Sequence, residues 1–332
     1  MSRANTAKPP TVLITGASGF VGGHLARTLH AKGYSLRILA RRTSNLKKLS
    51  AIDFERFEGD ITDPVSLIPA VENVDYIYHS GGLIKARSEA EFIEVNGDGT
   101  KNVCAVAQTH APNLKRMVYI SSQAACGPGE GTKPKDEMSP CNPLTPYGAS
   151  KRLGEKWTQQ FKLPWTIVRP PAVYGPEDHG MFEFFKVVAG HIRPTLGSDG
   201  KASVAYIDNL VDGIIKAGER PEGMEQIFFI ADDSAYAKSE LAQIIKTALN
   251  TWAIPIRFPA WAVRLVARIS ESFAKGFGRA ALFDSHKANE LLAENWLISI
   301  NKARMLLEYD PKVSTEDGLT RTARWYRQEG WL

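Results

Sequence analysis

The fold of this chain is decided near its beginning by the stretch TVLITGASGFVGG, residues 11–23. An apolar run suited to a buried parallel strand comes first. Gly16, Gly19 and Gly22 follow, and residues 20–30 have apolar side chains spaced for one buried helix face. Three glycines could simply punctuate a loop, but strand, glycine turn and helix in this order predict a dinucleotide-binding site. There Gly16 allows a tight turn, Gly19 lets the backbone approach a pyrophosphate, and Gly22 lets the helix, whose N-terminus faces the phosphates, pack closely.

The composition is that of an ordinary globular protein in water. The chain has 332 residues, enough for one large or two unequal domains, of which 43% are hydrophobic and 23% charged. The net charge of +5 is spread along the chain, so we expect no nucleic-acid partner. A basic balance does fit a small ligand that carries phosphates.

The cysteines and the apolar runs indicate a compartment. Cys104, Cys126 and Cys141 have no metal-binding spacing and are odd in number, so we expect free thiols in a reducing cytoplasm and no metal site. Residues 1–10 are polar and unlike a secretory signal. No apolar run reaches the ~18 residues of a membrane span, so we expect a cytoplasmic protein without an integral membrane segment.

Strand and helix patterns alternate along the first half of the chain and weaken after Arg169. Strands are predicted at 34–40, 75–79, 117–121, 165–168 and 226–231, and helices at 89–107, 147–161, 209–219 and 259–275. Alternation of this kind predicts an α/β protein with a parallel sheet.

A second motif, YGASK at residues 147–151, indicates acid–base chemistry. Tyr147 and Lys151 are four residues apart and share one helix face. A nearby ammonium would lower the pKa of the phenol, which is normally near 10, and so allow Tyr147 to exchange a proton near neutral pH. A surface pair is the alternative, but Ser122 directly follows a predicted strand and can offer a hydroxyl to the same site.

A third motif, RPPAVYGP at residues 169–176, completes a resemblance to the extended short-chain dehydrogenase/reductase family, the NAD-dependent epimerase/dehydratase superfamily. The resemblance implies a Rossmann-type doubly wound parallel sheet with a smaller, interleaved C-terminal substrate-binding domain. It divides the chain into a dinucleotide-binding domain at 1–170 and a mainly substrate-binding part at 171–332, from which segments return to the Rossmann core.

The resemblance also implies a set of site residues. The implied catalytic residues are Ser122, Tyr147, Lys151 and Asn96, of which Lys151 also binds the nicotinamide ribose and Asn96 braces the site or holds a relay water. The implied cofactor-binding residues are Gly16, Ser18, Gly19, Phe20, Val21, Gly22, Arg41, Asp60, Ile61, Ser80, Gly81, Gly82, Tyr147, Lys151, Pro170, Ala172 and Val173. Asp60 could instead be a turn residue, with Asp63 capping the next helix.

The second strand indicates which cofactor is bound. NAD-binding relatives carry an acidic residue at its end, where this chain has Ala40, and Arg41 and Arg42 follow. A guanidinium suits a 2′-phosphate, so we expect NADP, with NAD as the alternative, although the two arginines could be surface charges.

Departures from the family pattern narrow the reaction. Gln123 and Ala124 replace the Asp-Glu pair of sugar dehydratases, and residues 200–205 lack the diphosphate-clamping arginine of nucleotide-sugar epimerases. Aromatic residues at 181–185 and 252–261 could line an apolar pocket, or belong to the core. The pattern is nearest the 3β-hydroxysteroid dehydrogenase and dihydroflavonol reductase branch.

This branch implies an NAD(P)-dependent oxidoreductase that interconverts an alcohol and a ketone on a largely apolar small-molecule substrate. A nucleotide-sugar epimerase and an NADP-binding regulator without turnover are the alternatives. Helices 89–107 and 147–161 are expected to form a homodimer contact. Helix 259–275 is expected to be a lid over the ligand, the alternatives being a core element and a partner or membrane contact.

Overall fold

The computed structural model describes residues 8–276 and 283–332, and within them seven parallel strands form the central sheet. In spatial order the strands are β10 (Gln226–Phe229), β6 (Trp165–Arg169), β5 (Arg116–Ile120), β4 (Tyr76–His79), β1 (Thr11–Thr15), β2 (Ser35–Ala40) and β3 (Glu55–Glu58). The strand order reverses between β1 and β4, which is the switch point where doubly wound folds bind their ligands. The predicted Rossmann-type fold is confirmed.

Helices cover both faces of this sheet. They are α1 (Phe20–Ala31), α2 (Pro64–Val71), α3 (Glu89–Phe92), α4 (Gly99–His110), α5 (Pro146–Gln160) and α7 (Ile207–Glu219). Alternate residues of β1 point to opposite faces, so Val12 and Ile14 join one apolar cluster with Leu25 of α1, while Leu13 joins another with Val103 of α4. Burial on both faces is why this strand reads as a continuous apolar run.

Residues 89–107 were expected to be one helix, and that expectation is wrong. The segment is divided into α3, a wider π-helical turn at Ile93–Asp98, and α4. Gly97 and Gly99, which are weak helix formers, lie in the division and pack closely on Leu153 and Ile61. Asn96 lies in the same turn and is fully buried.

The second half of the chain adds two small sheets and returns to the large one. The added elements are β7 (Ala172–Tyr174), α6 (Phe182–Ala189), β8 (Ile192–Leu196), β9 (Lys201–Tyr206), β11 (Ala235–Ala237), α8 (Lys238–Ala248), β12 (Ile254–Phe258), α9 (Ala260–Gly276), α10 (Ser285–Leu292), β13 (Asn295–Trp296), α11 (Asn301–Leu307) and α12 (Thr315–Gln328). Strand β9 pairs with β7, β11 and β13, and β8 pairs with β12. Strand β10 returns to pair with β6, and α7 covers the large sheet.

The aromatic residues at 181–185 pack against the end of the chain. Phe185 is fully buried, and the rings of Phe182 and Phe185 both contact Tyr326 of α12, at centroid distances of 5.0 and 5.1 Å. Of the two alternatives that the sequence left open, Phe182 and Phe185 follow the second and belong to the core packing. Aromatic rings of this size bury a large apolar area and contribute strongly to core packing.

Helix α9 closes a small core cluster. Its buried residues Val263 and Ala267 pack with Phe258 and with Ala288 of α10, as the alternative of a core element predicted. Its large apolar residues are exposed. Among the described residues, no helix is long and apolar enough to cross a bilayer.

Candidate active site

The glycine turn between β1 and α1 fits against the end of β4. Gly16 has φ +77°, and a Cβ placed on it would lie 2.7 Å from the backbone nitrogen of Gly81. A Cβ on Gly22 would lie 2.4 Å from the carbonyl oxygen of Gly16. Because these glycines have no side chains, the turn and the 80–82 segment can lie in direct contact, as a close-packed nucleotide turn requires.

The N-terminus of α1 is suited to an anion. Gly19, at the N-cap, has no side chain with which to satisfy the first N–H groups, and the first turn contains no acidic residue. Ser18 and Gly19 are exposed, so those groups are accessible. A dinucleotide pyrophosphate is the ligand that fits such an end, since N–H groups and helix dipole both favour negative charge.

A buried hydrogen-bond chain that the motifs do not reveal supports this turn from below. Thr15 Oγ1 lies 2.6 Å from His79 Nδ1 and accepts a 3.0 Å hydrogen bond from Gly81 N, while His79 Nε2 lies 3.0 Å from Thr100 Oγ1. Burial, helped by the charge of Lys151, lowers the pKa of His79 to about 3, so the ring is neutral. His79 is therefore a packed residue at the end of β4.

An open cavity of about 460 Å³ lies beyond β2, at the expected adenosine end of the cofactor site. Arg41 and Asp60, both predicted from sequence, line it together with Arg87 and Glu91, which were not. Arg87 Nη2 is 3.3 Å from Glu91 Oε1. Asp60 Oδ1 accepts from Thr62, as the alternative of a turn residue predicted.

The neighbouring residues of this end also have local roles. Asp63 caps α2 through a 3.1 Å bond from Val65 N, the capping role predicted for it. Ile61 is buried against α4 at Gly99. Ser80 and Gly82 lie on the other side of the glycine turn, so the cofactor residues predicted before residue 100 line one continuous edge of the sheet.

Two serines follow β5, and the structure separates their roles. Ser121 Oγ donates a 2.6 Å hydrogen bond to Glu155 and is buried. Ser122 Oγ accepts from Ala124 N at 3.1 Å, and the same hydroxyl acts on the phenol of Tyr147, whose pKa it lowers. The pairing of Ser122 with Tyr147 is the one that the sequence favoured.

Tyr147 lies in the first turn of α5, which Thr145 caps by accepting from Gly148 N. Burial raises the pKa of Tyr147 to about 12, the hydrogen bond from Ser122 opposes this shift, and the charge of Glu290 adds to it. The expectation that Lys151 lowers this pKa is wrong for the protein by itself. The ammonium of Lys151 donates instead to the carbonyl oxygen of Ile120, at 2.7 Å.

Lys151 lies beneath the site, and its pKa is unusually low for a lysine. It is buried and lies 4.4 Å from the centre of the Tyr119 ring. Burial lowers its pKa to about 7, and Glu155 opposes that shift. A lysine that titrates near neutral pH can hold or release a proton in the working range of an enzyme.

A buried ion pair that the sequence analysis missed fixes the frame of these residues. Both oxygens of Glu155 on α5 bind Arg169 at the end of β6, each at 2.7 Å. Burial disfavours the charged carboxylate, but Arg169 and Ser121 hold the pKa of Glu155 below its usual value. The signal was available, because Glu155 follows Lys151 by one helical turn on the same face.

Asn96 braces the site without reaching its open side. Its Nδ2 donates to Leu83 O at 2.9 Å and to Ser150 Oγ at 3.0 Å, and its Oδ1 accepts from Leu83 N at 2.7 Å. The side chain thus ties the segment after Gly82 to α5. Asn96 is buried within the wider turn at 93–98, and such turns are frequent at functional sites.

The RPPAVYGP segment closes the site from the second half of the chain. Pro170 O accepts from Gln123 N at 2.8 Å, next to Ser122. Ala172 is exposed and Val173 is partly buried in β7. At Gly175 a Cβ would lie 3.5 Å from the Phe20 ring, so this segment and the glycine turn meet.

Comparisons with known proteins agree with this geometry. The model of the NAD-dependent epimerase/dehydratase family matches residues 12–231. The chain therefore belongs to this family, the one the sequence indicated, and a nicotinamide dinucleotide is the cofactor of the family. The glycine turn before β4 and the residues Ser122, Tyr147 and Lys151 after it all lie within the matched range.

Particular relatives carry different names. The chain is 29% identical to the ceramide reductase of Caulobacter vibrioides, over 97% of this chain and 96% of the relative. It is 30% identical to the 3-beta-hydroxysteroid dehydrogenase of Mycolicibacterium neoaurum, over 95% and 91%. It is 27% identical to the UDP-glucose 4-epimerase of Vibrio cholerae, over 99% of both chains.

A solved structure shares the fold. The UDP-glucose 4-epimerase of Thermotoga maritima superposes with a TM-score of 0.77 at 20% identity, covering 96% of this chain and 99% of the other.

Proposed function

We propose that this protein is an NAD(P)-dependent oxidoreductase that interconverts an alcohol and a ketone. One observation carries the proposal: Ser122, Tyr147 and Lys151 converge at the end of β5, beside the turn of Gly16 and the 172–175 segment. Reductases and dehydrogenases among the relatives support it, since their names describe this chemistry. A binding protein would have no need of a phenol and a buried lysine one helical turn apart.

Each residue has a distinct task in this proposal. The bound nicotinamide supplies or accepts the hydride. Tyr147 donates or takes the proton at the substrate oxygen, and Ser122 holds that oxygen by its hydroxyl. Lys151 binds the nicotinamide ribose. Asn96 keeps the segment after Gly82 in place.

The cofactor contacts proposed for this chain follow the edge described above. The turn residues Ser18 to Gly22 bind the pyrophosphate, and Asp60 and Ile61 meet the adenine. Ser80 to Gly82 and Pro170 to Val173 lie along the nicotinamide half. The main division is proposed at residue 170, with the substrate bound mostly by residues 171–332.

NADP is the proposed cofactor because Arg41 and Arg87 line the cavity at the adenosine end, and the strand before it ends in Ala40. Two guanidinium groups suit a 2′-phosphate. We expect Arg41→Ala to weaken NADPH binding about 10- to 100-fold in a fluorescence titration and to change NADH binding little. Equal affinity of the unaltered protein for NADH and NADPH would contradict the choice.

The substrate is proposed to be a largely apolar ketone or alcohol. Residues 200–205 offer no arginine for a sugar diphosphate, whose two charges would be costly to bury unpaired. The names of the steroid dehydrogenase and the ceramide reductase point the same way. An epimerase remains the second candidate, because the Vibrio cholerae relative is similar over its whole length.

The test is turnover by the purified protein with NADPH and a panel of steroid-like and long-chain ketones. Oxidation of NADPH supports the oxidoreductase, whereas interconversion of UDP-sugars without net redox change would favour the epimerase. NADPH binding without any turnover would favour a regulator.

The proton-transfer role is tested with Tyr147→Phe. We expect turnover to fall by roughly 10²- to 10⁴-fold with cofactor binding nearly intact. Tyr76→Phe, at the opposite end of the neighbouring strand β4, is the matched control. Near-normal turnover by Tyr147→Phe would reject the assignment.

A cytoplasmic homodimer is proposed as the working state. Helices α4 and α5 would supply the two-fold contact, where Trp157 and Phe161 are only partly buried and Trp157 Nε1 is without a hydrogen-bond partner among the described residues. Light scattering at micromolar concentration should give twice the chain mass. A monomer mass would reject this contact.

A further inference from the structure

The outward side of α9 carries a row of large apolar residues. Trp261, Leu265 and Ile269, spaced by one helical turn, are 68%, 50% and 59% exposed. The side that faces the protein carries the smaller Val263 and Ala267. A helix at the surface of a globular protein normally shows the reverse arrangement, so this row indicates an interaction surface.

Positive charge accompanies the apolar row. Arg264 and Arg268, both exposed, form the adjacent row on the same helix, and Arg257 is exposed at the end of β12. From Leu241 to Ser270 the sequence contains four basic residues, with Lys246 the other, and no Asp or Glu. An apolar row bordered by arginines is the pattern of a helix that lies in the interface of an anionic bilayer.

We propose that α9 docks this protein on the surface of an anionic lipid bilayer. Trp261, Leu265 and Ile269 would enter the boundary between headgroups and acyl chains, and Arg264 and Arg268 would contact lipid phosphates. A second copy of the chain is a poorer occupant, because a two-fold contact through this face would bring like charges together.

The docking face is close in the fold to the active site. Val263 and Ala267 pack on Ala288 of α10, and Glu290 of α10 accepts a 3.3 Å hydrogen bond from Thr145, which caps the helix of Tyr147. A bilayer against α9 would therefore lie one helix layer from the reacting groups. The idea that an apolar substrate passes from lipid to this site rests on the proposed function, whereas docking itself does not.

The test is co-sedimentation of the full chain with phosphatidylcholine vesicles that contain or lack phosphatidylglycerol. We expect binding only to the anionic vesicles, and less of it as salt is raised. The pair Arg264→Gln and Arg268→Gln should lower the partition coefficient by more than tenfold, and Leu265→Ser with Ile269→Ser by at least tenfold. Trp261→Phe should remove most of the vesicle-induced blue shift in tryptophan emission.

Matched controls come from other exposed positions. Val65→Ser with Met305→Ser, and Lys156→Gln with Arg324→Gln, change exposed apolar or basic residues elsewhere and should bind as the unaltered protein does. An equal loss of vesicle binding in the control variants would overturn the proposal, as would failure of the unaltered protein to bind anionic vesicles. So would a dimer that the α9 variants dissociate without any vesicle binding.

Turnover separates this inference from the proposed function. The α9 variants should reduce a water-soluble short-chain ketone at the normal rate. Vesicle binding without any turnover would reject the proposed function alone, whereas turnover without vesicle binding would reject the docking surface alone.

Discussion

Ser121 and Ser122 are adjacent in the chain but serve different partners. Because successive side chains alternate at the end of a strand, one hydroxyl points into the buried ion pair of Glu155 and Arg169 and the other toward Tyr147. Ser121 therefore supports the buried ion pair, and the next residue, Ser122, serves the reacting groups.

Replacing each serine by alanine should separate these two roles. Ser121→Ala should lower the free energy of unfolding by about 1.5–3 kcal/mol, because a hydrogen bond to a charged group is lost, and should leave kcat nearly unchanged. Ser122→Ala should lower kcat by about 10²-fold, because the donor to the reacting oxygen is lost. Urea unfolding and steady-state kinetics measure the two effects. Equal loss of kcat in both variants would contradict the separation.

The charge of Glu290 raises the pKa of Tyr147 from across the site. Glu290→Gln removes that charge, and its amide oxygen can still accept from Thr145, so the pKa of Tyr147 should fall. Alcohol oxidation needs the ionised phenol, and its rising limb should therefore begin at a lower pH. Glu294→Gln, at an exposed position, is the control and should leave the profile in place. An unchanged profile in Glu290→Gln would show that Glu290 does not act on Tyr147.

The glycine turn shows how one element depends on another. Gly16 and Gly33 both have positive φ, +77° and +85°, but a Cβ on Gly16 would meet the backbone of Ser80 and Gly81 at 2.7 Å. At Gly33, no described atom lies within 4 Å of that position. The first glycine is required by backbone conformation and by packing, the second by conformation alone.

The two glycine-to-alanine variants should therefore differ. Gly33→Ala should lower the free energy of unfolding by about 1–2 kcal/mol and leave cofactor binding intact. Gly16→Ala should lower the free energy of unfolding further than Gly33→Ala does. It should also weaken NAD(P)H binding at least tenfold, because the turn must move away from the 80–82 segment. Thermal unfolding and a fluorescence titration measure these effects. Equal cofactor affinity in the two variants would show that the contact between the segments does not shape the site.

At the scale of the whole molecule, the large sheet is not complete within the first half of the chain. Strand β10 forms its edge beside β6, and α7 covers it, with Gly218 close to Tyr78 and Val118. Both elements come from residues after 206. A chain cut after residue 170 would expose β6 as an edge strand and an apolar face of the sheet.

We therefore expect a fragment of residues 1–170 to aggregate or to unfold without cooperativity. Size-exclusion chromatography and urea unfolding, with the full chain as control, would measure this. A monomeric fragment with a cooperative transition near that of the full chain would show that the first 170 residues fold on their own.

Much of the site could be predicted because it is built from short motifs. The turn at Gly16, the pair of Tyr147 and Lys151, and Ser122 each depend on residue type and on spacing within one turn or one helix. Local spacing is preserved on folding, so the sequence could name these residues as candidates before the structure was known.

Other features depend on contacts between distant segments and left weaker signals. Glu155 binds Arg169, and Thr15 contacts His79. Glu290 acts on Tyr147. The partners in each pair are far apart in the chain, so no sequence periodicity indicates that they meet. The pKa of Tyr147 was expected to fall because Lys151 is near in sequence, but burial and Glu290 raise it. The electrostatics of a site depend on all the groups that surround it, not on its own helix.

The sequence by itself determined the class of fold, the positions of most strands in the first half and the glycine turn, because these follow from local periodicity and backbone freedom. Only the tertiary structure decided which apolar residues are covered. Phe182 and Phe185 could equally have lined a pocket, but Tyr326 packs on them, whereas Trp261 and Ile269 remain exposed. Burial is decided by which distant element packs against a residue, and the residue's own hydrophobicity does not specify that element.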